Sequence, residues 1–237
     1  MLIAENIEKI EEMIQKACDS AGRKRGEITL MGVTKFEPPE KIAEAYRGGI
    51  RCFGESRVKE AREKFAGFKS VYNDARLHLI GSLQRNKVKH AVQLFDCIQS
   101  VDRNELIVEI AACLRETEGN DDSFQLPVLL EFRTGEETKS GYAALDELFK
   151  AAELALENEN LIPAGLMTMA PFTDDTRLIR ASFRQLAKAR DELRLRFPSK
   201  ENGKNWDILS MGMSNDFLTA IEEGSTLLRI GSAIFKE

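Results

Sequence analysis

The stretch Ile28-Thr29-Leu30-Met31-Gly32-Val33-Thr34-Lys35-Phe36-Glu37-Pro38-Pro39 decides the fold class of this chain. Its first eight residues form a short apolar run, which predicts a buried β-strand that ends in Lys35. The two prolines suit the first turn of a following helix. An open doubly wound sheet would normally carry a GxGxxG turn at this point. The turn here contains no glycine, which favours a closed βα barrel.

The same strand-then-helix pattern continues to the end of the chain. The predicted strands span Ile28–Lys35, Cys52–Glu55, Leu77–Gly81, Cys97–Val101, Leu126–Phe132, Pro163–Met169, Asp207–Met213 and Leu227–Phe235. Eight parallel units of this kind predict an α/β fold, a single (β/α)₈ TIM-type barrel. An extra amphipathic N-terminal helix, Ile3–Ala21, precedes the first strand. We expect one domain over residues 1–237.

Composition narrows the class of function. The formal net charge of −5 argues against nucleic acid as the main partner. The four cysteines are scattered without metal-ligand spacing, which predicts reduced thiols, no metal site and a cytoplasmic protein. No apolar run approaches the roughly 20 residues of a membrane helix, so no membrane association is expected. The polar segment Glu118–Ser123 is predicted to be a mobile loop.

Working residues of such barrels lie at the carboxyl ends of the strands. Lys35 is the sharpest candidate, because a lysine that closes an apolar strand needs a partner or a changed pKa. A desolvated lysine is a nucleophile toward aldehydes. The alternative is a rim lysine that reaches out to water. The strand position alone leaves both readings open.

A phosphate-binding site is expected after strands seven and eight. Ser210, Gly212 and Ser214 lie at the end of strand seven, and Gly231 and Ser232 lie in strand eight. Small residues and hydroxyls at these places suit an anion.

Arg229 lies two residues before Gly231, so both side chains can face the barrel interior. An interior arginine requires a partner. It could pair with Glu55 or Glu131, or it could face a pyridine nitrogen and keep it unprotonated.

Several longer motifs resemble one known family, the pyridoxal phosphate homeostasis proteins, whose fold is similar to the N-terminal barrel of alanine racemase. The motifs that carry the resemblance are Val33-Thr34-Lys35, Phe53-Gly54-Glu55, the block from His78 to Lys87, Ser100-Val101-Asp102, Gly165 to Met169, Leu209 to Ser214, and Arg229 to Phe235. Together they cover most of the chain. Departures from the family pattern occur at Ser56, Ser82 and Arg85.

The resemblance implies a role for individual residues. Lys35 matches the lysine that holds pyridoxal 5′-phosphate as a Schiff base. Ser210, Gly231 and Ser232 match phosphate-binding positions, and Arg229 matches the residue that faces the pyridine nitrogen. The remaining expected cofactor contacts are Ser56, Met211 and His78.

The resemblance implies a carrier that manages the cellular pool of this cofactor without strong catalytic turnover, with pyridoxal-phosphate-dependent apo-enzymes as potential recipients. The alternative is an amino-acid racemase, which needs an acid–base group on each face of the carbanion. Lys35 could serve one face. For the other, His78 and Cys52 remain as candidates, because none of the tyrosines Tyr46, Tyr72 and Tyr142 ends a predicted strand. A third possibility is a cofactor-free barrel in which Lys35 attacks a carbonyl substrate.

Overall fold

The computed structural model describes residues 2–116, 125–136, 140–198 and 206–236. Eight parallel strands close into a barrel in sequence order, and β8 pairs with β1. This confirms the predicted (β/α)₈ class. The strands are β1 (Thr29–Val33), β2 (Cys52–Glu55), β3 (Arg76–Leu79), β4 (Cys97–Val101), β5 (Leu126–Glu131), β6 (Leu161–Met167), β7 (Ile208–Ser210) and β8 (Leu227–Ile230).

Helices surround the barrel, and the predicted N-terminal helix is present. The α-helices are α1 (Leu2–Ser20), α2 (Pro39–Arg47), α3 (Val58–Phe65), α4 (Phe68–Val71), α5 (Val88–Leu94), α6 (Asn104–Glu116), α7 (Leu145–Leu156), α8 (Thr176–Arg196), α9 (Phe217–Glu222) and α10 (Ser232–Phe235). Short 3₁₀ turns lie at Arg25–Glu27 and Arg85–Lys87.

Side chains alternate between two cores because successive residues of a strand point to opposite faces. The outward residues pack against the helices in one large apolar cluster. The inward residues form two smaller clusters, one around Met31 and Cys52 and the other around Cys97 and Met167. Burial of these apolar side chains stabilises the fold by roughly 25 cal/mol for each Å² of surface removed from water.

The predicted ends of the first and last strands are wrong. β1 stops at Val33, because Phe36 adopts a left-handed backbone with φ of 68° and turns the chain away from the sheet. β8 stops at Ile230 instead of Phe235. The carbonyl of Gly231 accepts hydrogen bonds from the N–H groups of Ile234 and Phe235, so these apolar residues form α10.

Other boundaries shift by a few residues. β7 ends at Ser210, before the predicted end at Met213. α7 begins at Leu145, and Tyr142, three residues earlier, forms an isolated bridge with Phe132. The loop predicted at Glu118–Ser123 lies outside the described residues, as do residues 199–205 after α8. Within the described ranges, no helix combines the length and apolarity needed to cross a membrane.

Candidate functional site

A cleft of about 850 Å³ opens at the carboxyl end of the barrel. Its walls come from β1, β6, β8 and the loops that follow β2, β6 and β7. Five of the eight expected cofactor contacts line it, and so does Ser214 of the predicted phosphate site. The five are Lys35, Ser56, Arg229, Gly231 and Ser232. We call the ends of β1 and β2 the lysine edge, and the ends of β7 and β8 the serine edge.

Lys35 lies two residues beyond β1, in the turn before α2, and its side chain is exposed to the cleft. Among the described residues, its amine takes part in no hydrogen bond or ion pair, so it is free to react. The next residue, Phe36, is 74% exposed and holds the left-handed backbone that ends the strand. Such a conformation costs a non-glycine residue about 1–3 kcal/mol.

Three side chains hold the backbone on which Lys35 sits. The fully buried carboxylate of Glu55 accepts hydrogen bonds from the Thr34 hydroxyl at 2.7 Å and from the Lys64 amine at 3.0 Å. Lys64 also donates to the Thr34 carbonyl at 2.9 Å. The second Glu55 oxygen is buried and has no partner. This clamp holds the Thr34 hydroxyl and the Thr34 carbonyl group, whose carbon is bonded directly to the Lys35 nitrogen.

Ser56 continues from the same strand and lines the cleft at its rim. Gly81 allows this position, because a Cβ there would lie 2.2 Å from the Ser56 carbonyl oxygen. The close approach of two backbones explains the glycine in the Ile80-Gly81 motif.

The serine edge consists of small neutral groups. The Ser232 hydroxyl donates to the Ser214 hydroxyl at 3.1 Å, and the Ala233 N–H reaches the same oxygen at 3.4 Å. Gly231 packs against β1, where an added Cβ would lie 3.3 Å from the Val33 side chain. These hydroxyls and the N–H group converge at one point of the cleft and suit an anion such as phosphate.

Arg229 lies at the floor of the cleft and is buried. Its guanidinium donates to the Ser210 hydroxyl and to the Thr168 carbonyl, each at 2.6 Å. Burial lowers the pKa of Arg229 to about 10, while Asp216 and Glu131 act in the opposite direction. Neither predicted carboxylate pairs with it, since Glu55 bonds Lys64 and Glu131 accepts from Ser140 at 2.9 Å.

Three predicted cofactor contacts lie away from the cleft. Ser210 is fully buried inside the barrel, where its hydroxyl accepts from Arg229 and donates to Gln99 at 2.6 Å. Met211 points outward into the helix layer and is also buried. His78 faces the barrel interior lower down, with Nδ1 2.8 Å from the Gln99 amide nitrogen. Ser210 and His78 are connected to the cleft through Arg229, whereas Met211 packs among the helices.

The sequence reasoning missed two parts of the site. Asp216 lines the cleft and accepts from the Met213 N–H at 2.5 Å; burial raises the pKa of its carboxyl. The segment from Ala170 to Asp174 forms a wall of the cleft and includes Phe172, which is 92% exposed. Asp216 follows Ser214 by two residues, so its closeness to an anion site was the available signal. The wall segment carries no such signal.

The candidate groups for a second acid–base residue lie elsewhere. Cys52 and His78 face the barrel interior below the cleft, and burial raises the pKa of Cys52 to about 12. Tyr142 lies beside the end of β5, contrary to expectation, since its backbone bonds Glu131 and Arg133. Its hydroxyl bonds Asn104 at 3.1 Å. None of the three lines the cleft as the described residues form it.

Comparison with known sequences identifies the family. The family described as alanine racemase, N-terminal domain, matches residues 3–237. A pyridoxal phosphate homeostasis protein of Aquifex aeolicus is 40% identical over 100% of this chain and 99% of its own length. This chain belongs to the pyridoxal phosphate homeostasis protein family. Members from Vibrio cholerae and Escherichia coli K12 are 38% and 35% identical, over 99% and 98% of this chain and 96% and 95% of their own lengths.

Solved structures agree with this assignment to the homeostasis protein family. PipY of Synechococcus elongatus, solved with pyridoxal phosphate bound, matches with a TM-score of 0.78 at 29% identity, over 94% of this chain and 99% of PipY. A protein of unknown function from Bifidobacterium adolescentis reaches a TM-score of 0.88 at 31% identity, over 98% of this chain and 94% of its own. The alanine racemase of E. faecalis shares the fold alone, with a TM-score of 0.68 at 16% identity, over 99% of this chain and 58% of the racemase.

Proposed function

We propose that this chain binds pyridoxal 5′-phosphate in the cleft, as a Schiff base on Lys35, and serves the homeostasis of that cofactor. One observation carries the proposal. An unpaired lysine amine, a buried arginine and a converging set of hydroxyl donors line the same cleft. Homeostasis proteins of the same family, and PipY with its bound cofactor, support this choice of ligand.

The residues present fit the chemical groups of this cofactor. The Ser214 and Ser232 hydroxyls and the Ala233 N–H provide donors for a phosphate. We assign the phosphate to Ser214 and Ser232, because both line the cleft and bond each other there. Ser210 does not line the cleft, and its single proton is donated to Gln99 inside the barrel. The Arg229 guanidinium can face a pyridine nitrogen, and a cation there would keep that nitrogen unprotonated. When bound, the cofactor supplies an aldehyde and an electron-withdrawing ring.

The geometry favours a carrier over a racemase. A Schiff base on an exposed lysine is accessible to water and to competing amines, which suits release to pyridoxal-phosphate-dependent apo-enzymes. An unprotonated pyridine nitrogen would make the ring a weak electron sink. The four free cysteines of the described chain fit a reducing cytoplasm as the place of action.

The test compares wild type with Lys35→Ala after addition of pyridoxal phosphate. A protonated Schiff base absorbs near ~420 nm, a property of the cofactor itself. Wild type should show this band, and borohydride should fix the cofactor covalently at Lys35, as mass spectrometry of the peptide reads out. Lys59→Ala, which changes an exposed lysine of α3, is the matched control and should behave as wild type. Absence of the band in wild type with excess cofactor would refute the proposal.

Assays of amino-acid racemisation on the loaded protein separate the two functions. A carrier should show no turnover above that of free cofactor while still passing the cofactor to an apo-enzyme. Turnover that requires Lys35 would instead support the racemase.

A further inference from the structure

A second cavity, of about 380 Å³, lies at the opposite mouth of the barrel. Most of its walls come from residues at or near the starts of strands, including Arg76 of β3, Cys97 of β4 and Ile208 of β7. The cleft described above lies at the strand ends. The two openings are therefore at opposite ends of the barrel interior.

A chain of hydrogen bonds runs through the barrel between the two openings. Arg229 at the floor of the cleft donates to Ser210 at 2.6 Å, and Ser210 donates to the Gln99 carbonyl oxygen at 2.6 Å. The Gln99 amide nitrogen then donates to His78 Nδ1 at 2.8 Å. His78 lines the second cavity.

Every donor in this chain points the same way, which fixes the state of the histidine. An Nδ1 that accepts a hydrogen bond carries no proton, so the neutral ring carries its proton on Nε2. Burial lowers the pKa of His78 to about 4, which keeps the ring neutral at physiological pH. In the described part of the chain, the hydrogen bond of the His78 ring is the one at Nδ1, and the ring lines the cavity. Its N–H is available to a molecule in the cavity.

The charges around the cavity favour an anion. Asp96 is already satisfied, because Lys69 donates to its two oxygens at 2.9 and 2.7 Å and the Leu77 N–H donates at 2.7 Å. Arg76 keeps only a 3.7 Å ion pair with Asp96 and is 65% exposed. Arg76 and Asp96 are the charged side chains that line the cavity, and Lys69 neutralises Asp96 from outside it, so the Arg76 charge is left largely uncompensated. Phe95, Pro127 and Ile208 provide apolar walls.

We infer that this cavity is a second ligand site, which binds a small monocarboxylate with a branched or cyclic apolar body. The carboxylate would pair with Arg76, an acceptor atom would receive the His78 Nε2–H, and the apolar part would lie on Ile208 and Pro127. Because His78 ends the chain that begins at Arg229, occupation of this cavity alters the hydrogen bonding of the cleft floor.

The test uses 3-methylbutanoate as the probe, since it has no carbonyl that could react with Lys35. The chain has two histidines, His78 and the exposed His90, so nitrogen-15 NMR of histidine resolves the site against an internal control. On the protein without cofactor, we expect a neutral Nε2–H form of His78 and a saturable shift of its resonances with the probe. His90 should not shift.

Two variants make this result specific. Arg76→Gln should weaken binding of the probe about tenfold, because one charge-assisted interaction is lost. Arg177→Gln changes an arginine that is 92% exposed on α8 and should leave the affinity unchanged. Ile208→Phe, which fills the cavity, should also remove the response. No shift of His78, or an equal shift in wild type and Arg76→Gln, overturns the inference.

Coupling between the two openings is a separate measurement, which rests on the proposed function. The probe should change the affinity for pyridoxal phosphate, and the cofactor should change the affinity for the probe by the same factor. Gln99→Met interrupts the chain and should bring that factor to one while the probe still binds. If the ratio of affinities is already one in wild type, the chain of hydrogen bonds transmits nothing and the coupling is overturned. A failure of cofactor binding would leave the probe result intact.

Discussion

The two edges of the cleft are built from different interactions. At the lysine edge, a buried ion pair between Glu55 and Lys64 grips the Thr34 backbone beside an exposed reactive amine. At the serine edge, neutral hydroxyls and a close glycine form a cradle of small groups without any ion pair among its own described residues. Under the proposed function, the difference teaches that a covalent attachment point would need its backbone fixed, whereas a phosphate cradle would need only donors and space.

The largest effect is expected from breaking the clamp at the lysine edge. Lys64→Met should destabilise the protein by about 3 kcal/mol, because it leaves the buried Glu55 carboxylate uncompensated. Urea unfolding measures this loss, and Lys59→Met on the same helix is the control. The double variant with Glu55→Gln should recover most of the stability. A loss below that of the control variant would show that the clamp is not a structural element.

The stability of the protein should depend on pH through His78, which lies in the barrel interior below both edges of the cleft. The pKa of His78 falls from 6.5 to about 4 on folding, because burial disfavours the charged ring. The folded protein therefore binds fewer protons than the unfolded chain below pH 6.5, so stability is complete above that pH and falls as the pH drops toward 4. The slope should be about 1 kcal/mol per pH unit.

Unfolding experiments at several pH values measure this slope, with His78→Gln beside wild type. The variant should lack this component of the pH dependence, whereas His90→Gln should retain it. Equal slopes in wild type and His78→Gln would mean that the histidine is already charged in the folded state.

The serine edge should affect affinity without affecting stability. Ser214→Ala should weaken pyridoxal phosphate about tenfold, the loss of one hydrogen bond to a charged group, and should not change the affinity for pyridoxal, which has no phosphate. Competition for the absorbance band measures both affinities. Ser210→Ala should reduce the two affinities alike, since this hydroxyl contacts Arg229 and not the cradle. A phosphate-selective loss in Ser210→Ala would return the phosphate to the position that the sequence indicated.

The smallest effect concerns backbone strain. Phe36 holds a positive φ of 68° at the lysine edge, whereas Gly212, with φ of 96°, holds the corresponding conformation at the serine edge without penalty. Phe36→Asn should therefore stabilise the protein by about 1 kcal/mol, because asparagine tolerates this conformation better. Phe172→Asn is the matched control, since it also removes an exposed aromatic ring from the cleft mouth. A destabilised Phe36→Asn would mean that the ring makes a contact worth more than the strain.

The fold followed from the sequence because each strand is a short apolar run followed by a helical one. The end of β8 did not follow, because Ala233-Ile234-Phe235 is equally apolar as a strand or as one helical turn. Only the capping role of the Gly231 carbonyl decides between them.

The sequence predicted the types of residue at the candidate site better than it predicted which of them face the cleft. Lys35, Arg229, Gly231 and Ser232 line the cleft as expected. Ser210 does not, because β7 ends there and the strand alternation turns its side chain into the barrel core. Lys64 could not be found from its helix, where it resembles any exposed lysine. A buried Glu55 that requires a cation was the only indication.

The two ends of the chain meet beside the site. The Asn6 side chain donates to the carbonyls of Ile234 and Lys236, which ties α1 to the short helix that carries Ser232. Lys35 follows the first strand of the barrel, whereas Ser214 and Ser232 follow the last two strands. Most of the sequence separates the two edges, so they come together only when β8 pairs with β1. Under the proposed function, binding of the cofactor would therefore report that the barrel is closed.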